Sequence, residues 1–327
     1  MLKGLMITPP VLGRISIGQV VERDGKRLPQ KDDQFSVTTQ VQNAKGWRKH
    51  PIEETLPRND KHKLREIPVR VLFDNPELNL RAEYSFFDRK TARPICVGNG
   101  ETCQRRTQEG LSTQPCPGPE LCDFAQGQCK PYGRLNVSIE SEGQENPDPL
   151  GSFILRTSGF NSIRTLSARL AYFAALSGGR LSCLPLALKL RAKSTRQSYG
   201  RPIFYVDLAL RQGMDLAHTL EAATHRAQSR QALGFDQQAL DEAAARGYGN
   251  GWTEDDPDSV EAVLEEFYPQ GNANLSNDLQ GNETASHSQH TTASASEMNR
   301  LNQSLHDQLH HSFAAQSPIN GPASASH

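Results

Sequence analysis

The chain has few of the residues that build a large packed interior. Hydrophobic residues make up 36% and aromatic residues 6% of its 327 residues. No apolar run approaches the ~20 residues that a membrane-spanning helix needs. The sequence therefore predicts no membrane partner, and a chain of one or two domains of which some part does not pack.

Recognisable catalytic motifs are also missing. The sequence contains no G-x-S-x-G, no H-E-x-x-H and no phosphate-binding P-loop. Before residue 269 the histidines number four, and none has a recognisable spacing to a nucleophile or an aspartate. We therefore predict that the protein is not an enzyme and has no small-molecule substrate.

The N-terminus has no export signal. In residues 1–18 the apolar stretch is broken by Pro9 and Pro10, and no small-residue cleavage site follows. This predicts a cytoplasmic protein. In a reducing compartment, clustered cysteines bind metal more often than they form disulfides.

Cysteines are the strongest chemical signal that is present. Five of the six fall within 34 residues, with the spacing C-x6-C-x12-C-x5-C-x6-C. The surrounding residues 94–132 are rich in Gly, Pro, Gln and Thr and cannot close a core of their own. Four thiolates around a structural zinc would hold such a loop together, whereas disulfides or free thiols are the alternatives. Five thiols for four positions leave one spare, and the residues alone do not identify it. The five are Cys96, Cys103, Cys116, Cys122 and Cys129.

Alternating apolar residues predict several half-buried strands. A helix is predicted between Asn161, a possible N-cap, and Gly178, a helix-ending glycine. Because the strand-like runs follow one another through short turns, the expected fold class is α+β. It consists of a mostly antiparallel sheet with the zinc loop inserted, packed helices and a disordered C-terminal tail. The predicted strands include residues 35–41, 69–73, 80–86, 93–97, 135–139, 153–157, 184–193 and 202–210.

Composition divides the chain into four parts. Residues 1–30 are predicted to be an extended arm, and residues 31–212 an α+β core that carries the zinc-binding loop at 94–132. Residues 213–268 are predicted to be an acidic helical segment. Residues 269–327, rich in Asn, Ser, Gln and His, bury too little to offset their ordering entropy, so we predict a disordered low-complexity tail.

Charge is unevenly distributed between neighbouring segments. Residues 151–212 contain ten basic residues and one acid, whereas residues 213–268 contain twelve acids and three arginines. Three strand cations alternate with leucines, and two arginines follow in a loop. This basic stripe could contact nucleic-acid phosphates, or it could be a solvated sheet face paired with the acidic segment. The stripe consists of Lys189, Arg191, Lys193, Arg196 and Arg201.

Several longer motifs resemble a known family. They are MLKGLMITPPVLGRISIG, NLRAEYSFFD, CVGNGETCQRR, PCPGPELC, CKPYGRLNV and GSFILRTSGFNSIRTLSARL. Over residues 1–212 the chain is similar to the recombination directionality factor-like proteins of phages and integrative elements, which are often labelled "hydrolase or metal-binding protein". The resemblance implies a role in DNA recombination, because the best-understood relatives bind a serine integrase on DNA and favour excision. It also implies that Cys103 is the spare thiol. The acidic segment and the tail have no counterpart in the resemblance.

The resulting prediction is a non-enzymatic, zinc-containing accessory factor in the DNA recombination of a mobile element. It would bind a recombinase or integrase, DNA, or both. One alternative is a single-stranded DNA-binding protein of an annealing recombination module. Another is a metal-dependent hydrolase, although a zinc shell closed by four sulfurs would leave no position for the reactive water.

Overall fold

A computed structural model describes most of the first 246 residues and three later ones. The predicted tail at 269–327 lies outside the described residues, as does most of the acidic segment after residue 246. The described residues are 9–23, 26–43, 46–140, 151–194, 196, 199–246, 263, 266 and 267. Their elements are β1 (Val11–Arg23), β2 (Lys26–Asn43), β3 (Gly46–Lys49), α1 (Ile52–Thr55), β4 (Glu66–Val71), α2 (Pro76–Asn79), β5 (Leu80–Phe87), β6 (Pro94–Gly98), β7 (Thr102–Thr107), β8 (Gly110–Pro115), β9 (Lys130–Ile139), β10 (Ser152–Thr157), α3 (Phe160–Leu176), a 3₁₀ turn (Leu181–Cys183), β11 (Leu186–Lys193), β12 (Ile203–Leu210), α4 (Leu216–Ala232) and α5 (Gln237–Ala245).

The twelve described strands form one sheet. Its main path runs β3-β2-β1-β10-β9-β5-β6-β7-β8, and β4, β11 and β12 branch from β9. The β1–β10 pair is parallel and the other described pairs are antiparallel. This confirms the predicted α+β class with a mostly antiparallel sheet.

Strand β9 is where the sheet divides. One edge pairs with β10, while the other pairs with β5 along its first half and with β4 along its second half. The β4–β11–β12 branch curls back toward β2, since the Phe35 N–H of β2 donates to the Leu64 carbonyl, just before β4, at 2.7 Å. The next residue, Arg65, accepts the Leu190 N–H of β11 at 2.9 Å. The apolar core lies inside this curl.

The core consists of apolar side chains that are almost fully buried. Leu166 of α3, Leu188 of β11 and Val206 of β12 are each 0% exposed and belong to one apolar cluster. Burying such a side chain contributes about 1.5–3 kcal/mol. The Ser162 hydroxyl accepts the Val206 N–H at 3.1 Å, so α3 covers the edge of β12 that pairs with no other described strand.

Two local predictions differ from the structure. Residues 1–30 are not throughout an extended arm outside the core, because Val11–Arg23 lies in the sheet between β2 and β10. The helix α3 begins at Phe160 with Gly159 as its N-cap, not Asn161. The Asn161 side chain instead accepts a hydrogen bond from Lys193 at 2.6 Å. Across the described stretches, no helix is long and apolar enough to cross a membrane.

Candidate metal centre in the cysteine segment

The cysteine segment, residues 94–132, continues the sheet as a meander. Strand β6 pairs with β5 and β7, and β7 pairs with β8, before a loop returns the chain to β9. In β7 and β8 only Cys103 is buried, and the remaining side chains are exposed or half-buried. The sequence predicted a loop here because these strands lack the apolar alternation of a half-buried strand.

Five thiols from different elements line one pocket. Cys96 lies on β6, Cys103 on β7 and Cys116 directly after β8, while Cys122 and Cys129 lie in the loop before β9. All five are free thiols, so the disulfide alternative has no support in the structure. The same pocket is also lined by three aromatic rings and one arginine, namely Tyr84, Phe86, Phe124 and Arg105.

Gly98 shows how closely the backbone approaches the thiols. A Cβ atom at this position would lie 2.6 Å from the Cys103 Cβ and 2.9 Å from the Cys116 Sγ. Both distances are too short for any side chain, so only glycine lets β6 and β7 bring the cysteines together. The sequence alone does not reveal this contact of Gly98, although GNG between two of the cysteines is a visible turn signal.

The electrostatics of the pocket show that the thiols lie close enough to influence one another. Burial, together with repulsion from the other four cysteines, raises the pKa of Cys129 to about 12. Burial also raises the pKa of Cys96 to about 11, with a contribution from a hydrogen bond to Cys103, whereas Arg105 opposes the shift. These thiols hold their protons at neutral pH unless a cation replaces them.

The sulfurs do not already form a ligand shell. Within the described ranges, no three His, Cys, Asp or Glu side chains are arranged as ligands of one metal ion. A tetrahedral zinc site needs four sulfurs about 2.3 Å from a common point. The structure therefore brings the predicted ligands into one pocket, while zinc itself stays a prediction.

Cys103 differs from the other four thiols in its surroundings. It is 3% exposed and its Sγ lies 3.7 Å from the Pro115 carbonyl oxygen, to which it donates. Cys116, Cys122 and Cys129 are half-buried at the loop side of the pocket. The spare role that the resemblance implies for Cys103 stays a prediction.

The rim of the cysteine segment exposes apolar side chains. Leu121 is 75% exposed and Phe124 is 42% exposed. The Arg105 guanidinium lies 3.8 Å from the centroid of the Phe124 ring, and the Phe86 ring meets the same ring edge-on at 6.0 Å. Arg105 is thus part of the packing of this loop, which its position between two cysteines did not reveal.

The strand cations of the basic stripe have partners in the core. Lys189 pairs with Glu66 at 3.1 Å, and Arg191 pairs at 2.7 Å with Asp207, which is 3% exposed on its side chain. Asp207 also pairs with Arg169 at 3.1 Å.

Lys193 bonds to Asn161, as described above. The stripe's leucines are buried as predicted, and among the residues that the structure describes, its three strand cations have partners in β4, β12 and α3. The loop residues Arg196 and Arg201 are exposed.

With this geometry in place, the comparison with known families is informative. The profile of the Gp3-like family, described as recombination directionality factor-like, matches residues 12–211. The chain belongs to this family. The match covers more than half of the chain and includes the whole cysteine segment and the basic stripe. The family description indicates a recombination-related and generally regulatory role in phages and mobile elements. No curated protein and no solved structure shows significant similarity to the chain.

Proposed function

We propose that the protein is a non-enzymatic, zinc-containing accessory factor that binds a recombinase and directs DNA recombination in a mobile element. The observation that carries the proposal is family membership over residues 12–211. The gathering of five thiols in a segment without a core of its own supports the metal. The corresponding cellular location is the cytoplasm.

The zinc ligands in this proposal are Cys96, Cys116, Cys122 and Cys129. They come from β6, the end of β8 and the loop before β9, so one ion would tie both ends of the meander together. Zinc would also neutralise the repulsion that four thiolates exert on one another. With four sulfur ligands the ion has no open position, so its role is to stabilise the fold.

The exposed apolar side chains of the cysteine segment fit a protein partner. Leu121 lies between two of the proposed ligands, where coordination would fix its position. Large exposed apolar residues beside polar ones are typical of protein contact sites. We therefore place the recombinase contact at this loop.

A matched pair of variants tests the contact. The recombinase encoded by the same mobile element is mixed with the full chain, and co-elution and excision of a DNA substrate are measured. We expect Leu121→Ser to reduce both at unchanged zinc content. Leu233→Ser, which removes an even more exposed leucine at the end of α4, should change neither. Equal behaviour of the two variants would reject this contact site, and no co-elution of the unaltered chain would reject the recombinase partner.

Direct DNA binding is a second candidate function. It is supported by the loop between β11 and β12, where Arg196, Arg201 and Tyr199 are exposed, the last at 94%. Arginine can contact phosphates and tyrosine can stack on an unpaired base. Lys189, Arg191 and Lys193 would contribute less, because their head groups already have partners in the core.

A gel shift over a salt series tests this candidate. The logarithm of the binding constant falls with log salt by about 0.9 per phosphate neutralised. We expect the double variant Arg196→Ser/Arg201→Ser to bind more weakly and to lower this slope by up to about 2. The control Arg48→Ser/Lys61→Ser removes the same charge from exposed positions elsewhere. If both double variants bind alike, the loop is not a DNA contact.

A further inference from the structure

A short part of the acidic segment is buried against the core. Val263, Glu266 and Phe267 are helical, and Val263 and Phe267 are 1% and 0% exposed. Residues four apart on a helix lie on the same face. These residues therefore present two apolar anchors on one side, and their helical conformation agrees with the acidic helical segment predicted for residues 213–268.

Two aromatic rings hold the second anchor, Phe267. The Phe267 ring meets Phe87 edge-to-face with centroids 4.6 Å apart and meets Tyr132 in the same way at 5.2 Å. Phe87 and Tyr132 contact each other at 5.4 Å, and Ala92 closes the cluster. Edge-to-face contacts depend on ring orientation, so this pocket selects an aromatic side chain by shape as well as by hydrophobicity.

Polar groups at the rim fix the direction of the helix. The Lys130 ammonium donates to the Phe267 carbonyl at 2.7 Å. The Ser158 hydroxyl donates to the Glu266 carboxylate at 2.9 Å, and the Ser158 N–H donates to the same oxygen. The pocket thus recognises an acidic residue followed directly by an aromatic one.

The walls and the occupant come from different parts of the chain. The residues of the pocket walls all lie within the residues that match the family, on β5, on β9, in the turn after β5 and directly after β10. They are Phe87, Ala92, Lys130, Tyr132 and Ser158. Val263 and its neighbours lie beyond the matched region, and seventeen residues of sequence separate Val263 from the end of α5. The occupant is therefore an intramolecular ligand, whose binding reflects effective concentration as much as contact strength.

We propose that this pocket is a peptide-docking site, occupied in cis by the chain's own helix and available in trans to a protein partner. The partner would present a helix with an aliphatic residue followed, three and four positions later, by an acid and an aromatic residue. This is the helix-in-groove mode of recognition, with anchors on one helical face. The cis helix then acts as a competitor that raises the concentration of partner needed to occupy the site. The docking site does not depend on the recombinase contact, although Lys130 and Tyr132 belong to the cysteine segment.

A synthetic peptide of residues 258–270 serves as the probe. Its binding is followed by fluorescence anisotropy with the full-length chain and with the full-length double variant Val263→Ala/Phe267→Ala, which loses both cis anchors. We expect the peptide to bind the double variant at least tenfold more tightly than the unaltered chain. A peptide carrying Phe267→Ala should bind neither protein. Tyr199→Ala, which removes an aromatic ring that is 94% exposed elsewhere, is the matched control and should behave like the unaltered chain.

Two results would overturn the proposal. One is equal binding of the peptide to the double variant and the unaltered chain. The other is that the peptide does not bind a double variant whose circular dichroism spectrum is unchanged. In that case the cis helix would only stabilise the fold. If the double variant does not fold, Glu266→Ala weakens the cis contact at its rim alone. The peptide must then bind this variant at least threefold more tightly than the unaltered chain, and equal binding contradicts the site.

Discussion

The curled core and the cysteine segment belong to one sheet, yet they are stabilised in different ways. In the core, β11 buries Leu186, Leu188 and Leu190 against α3 and the neighbouring strands. In the cysteine segment, β7 and β8 expose most of their side chains and bury little besides Cys103. Hydrogen-bonded pairing continues through both regions, so pairing alone does not explain why the second one folds.

The comparison shows what each region requires. A strand pair exposed on both faces is marginal in water unless something else holds it. The core gains its stability from buried apolar area, and the cysteine segment replaces that area with thiols that converge on one pocket. We therefore expect that the two regions can be destabilised separately.

The largest effect is expected from a proposed zinc ligand. Cys129→Ser should remove the zinc and unfold residues 94–132, because the binding free energy of a structural zinc, about 10–16 kcal/mol in small zinc peptides, is also folding free energy. Elemental analysis and proteolysis of the full-length variant check this. Cys103→Ser is the matched control, and it should keep one zinc per chain if Cys103 is the spare thiol.

The same comparison can be tested from the core side. Leu188→Ala removes a side chain that is 0% exposed, and it should lower the free energy of unfolding by about 2–5 kcal/mol. Denaturant unfolding measures the loss. The zinc content of the folded variant should not change, whereas loss of zinc at unchanged core stability would contradict the separation of the two regions.

A smaller effect is expected from a buried carboxylate. Asp207→Asn keeps the shape of the side chain but removes the charge that pairs with Arg169 and Arg191. Both arginine side chains are about half exposed, so water solvates their charges in part when Asp207 no longer pairs with them. We therefore expect the free energy of unfolding to fall by about 1–2 kcal/mol. No loss on thermal or denaturant unfolding would show that these cations do not depend on Asp207.

The smallest effect concerns acid sensitivity. Burial acts to raise the pKa of Glu140, but the charges and hydrogen bonds of Arg70 and Arg211 outweigh it and lower the pKa. A lowered folded-state pKa stabilises the fold above the ordinary glutamate range, and this contribution is lost as the pH falls through the folded pKa. The free energy of unfolding is measured from pH 6 downward, which begins about two units above the ordinary glutamate pKa. As the pH falls, it should decrease less steeply for Glu140→Gln than for the unaltered chain. Parallel curves would refute this role of Glu140.

The sequence predicted elements well where apolar residues alternate or recur. The leucines of β11, the strand β9 and the core-facing residues of α3 are examples, because burial imposes the period that the sequence displays. It did not predict β7 and β8, whose exposed side chains carry no such period. The sequence also assigned Val11–Arg23 to an extended arm outside the core. The residues of this strand do not by themselves reveal that it pairs with β2 and β10.

The cysteines of the candidate site were predictable from the sequence, but the backbone contacts and ion pairs around the candidate residues were not. Clustering of five cysteines was sufficient to predict that they would meet, because the spacing between them is short. The contact of Gly98 with two of them depends on strand register, which the spacing does not reveal. The partner of Lys189 is Glu66, a residue far away in sequence, so the stripe's ion pairs could be known only from the fold. Asp207 was nevertheless visible as the single acid among residues 151–212.

Hydrogen exchange before and after zinc chelation tests the central claim most directly. The claim is that coordination holds residues 94–132 while apolar burial holds the core. Amide exchange of the full chain is measured by mass spectrometry with and without a zinc chelator. The account predicts one zinc per untreated chain, faster exchange across β7, β8 and the following loop after chelation, and unchanged protection in β10, β11 and α3. A zinc-free protein in which the cysteine segment is already protected would contradict it.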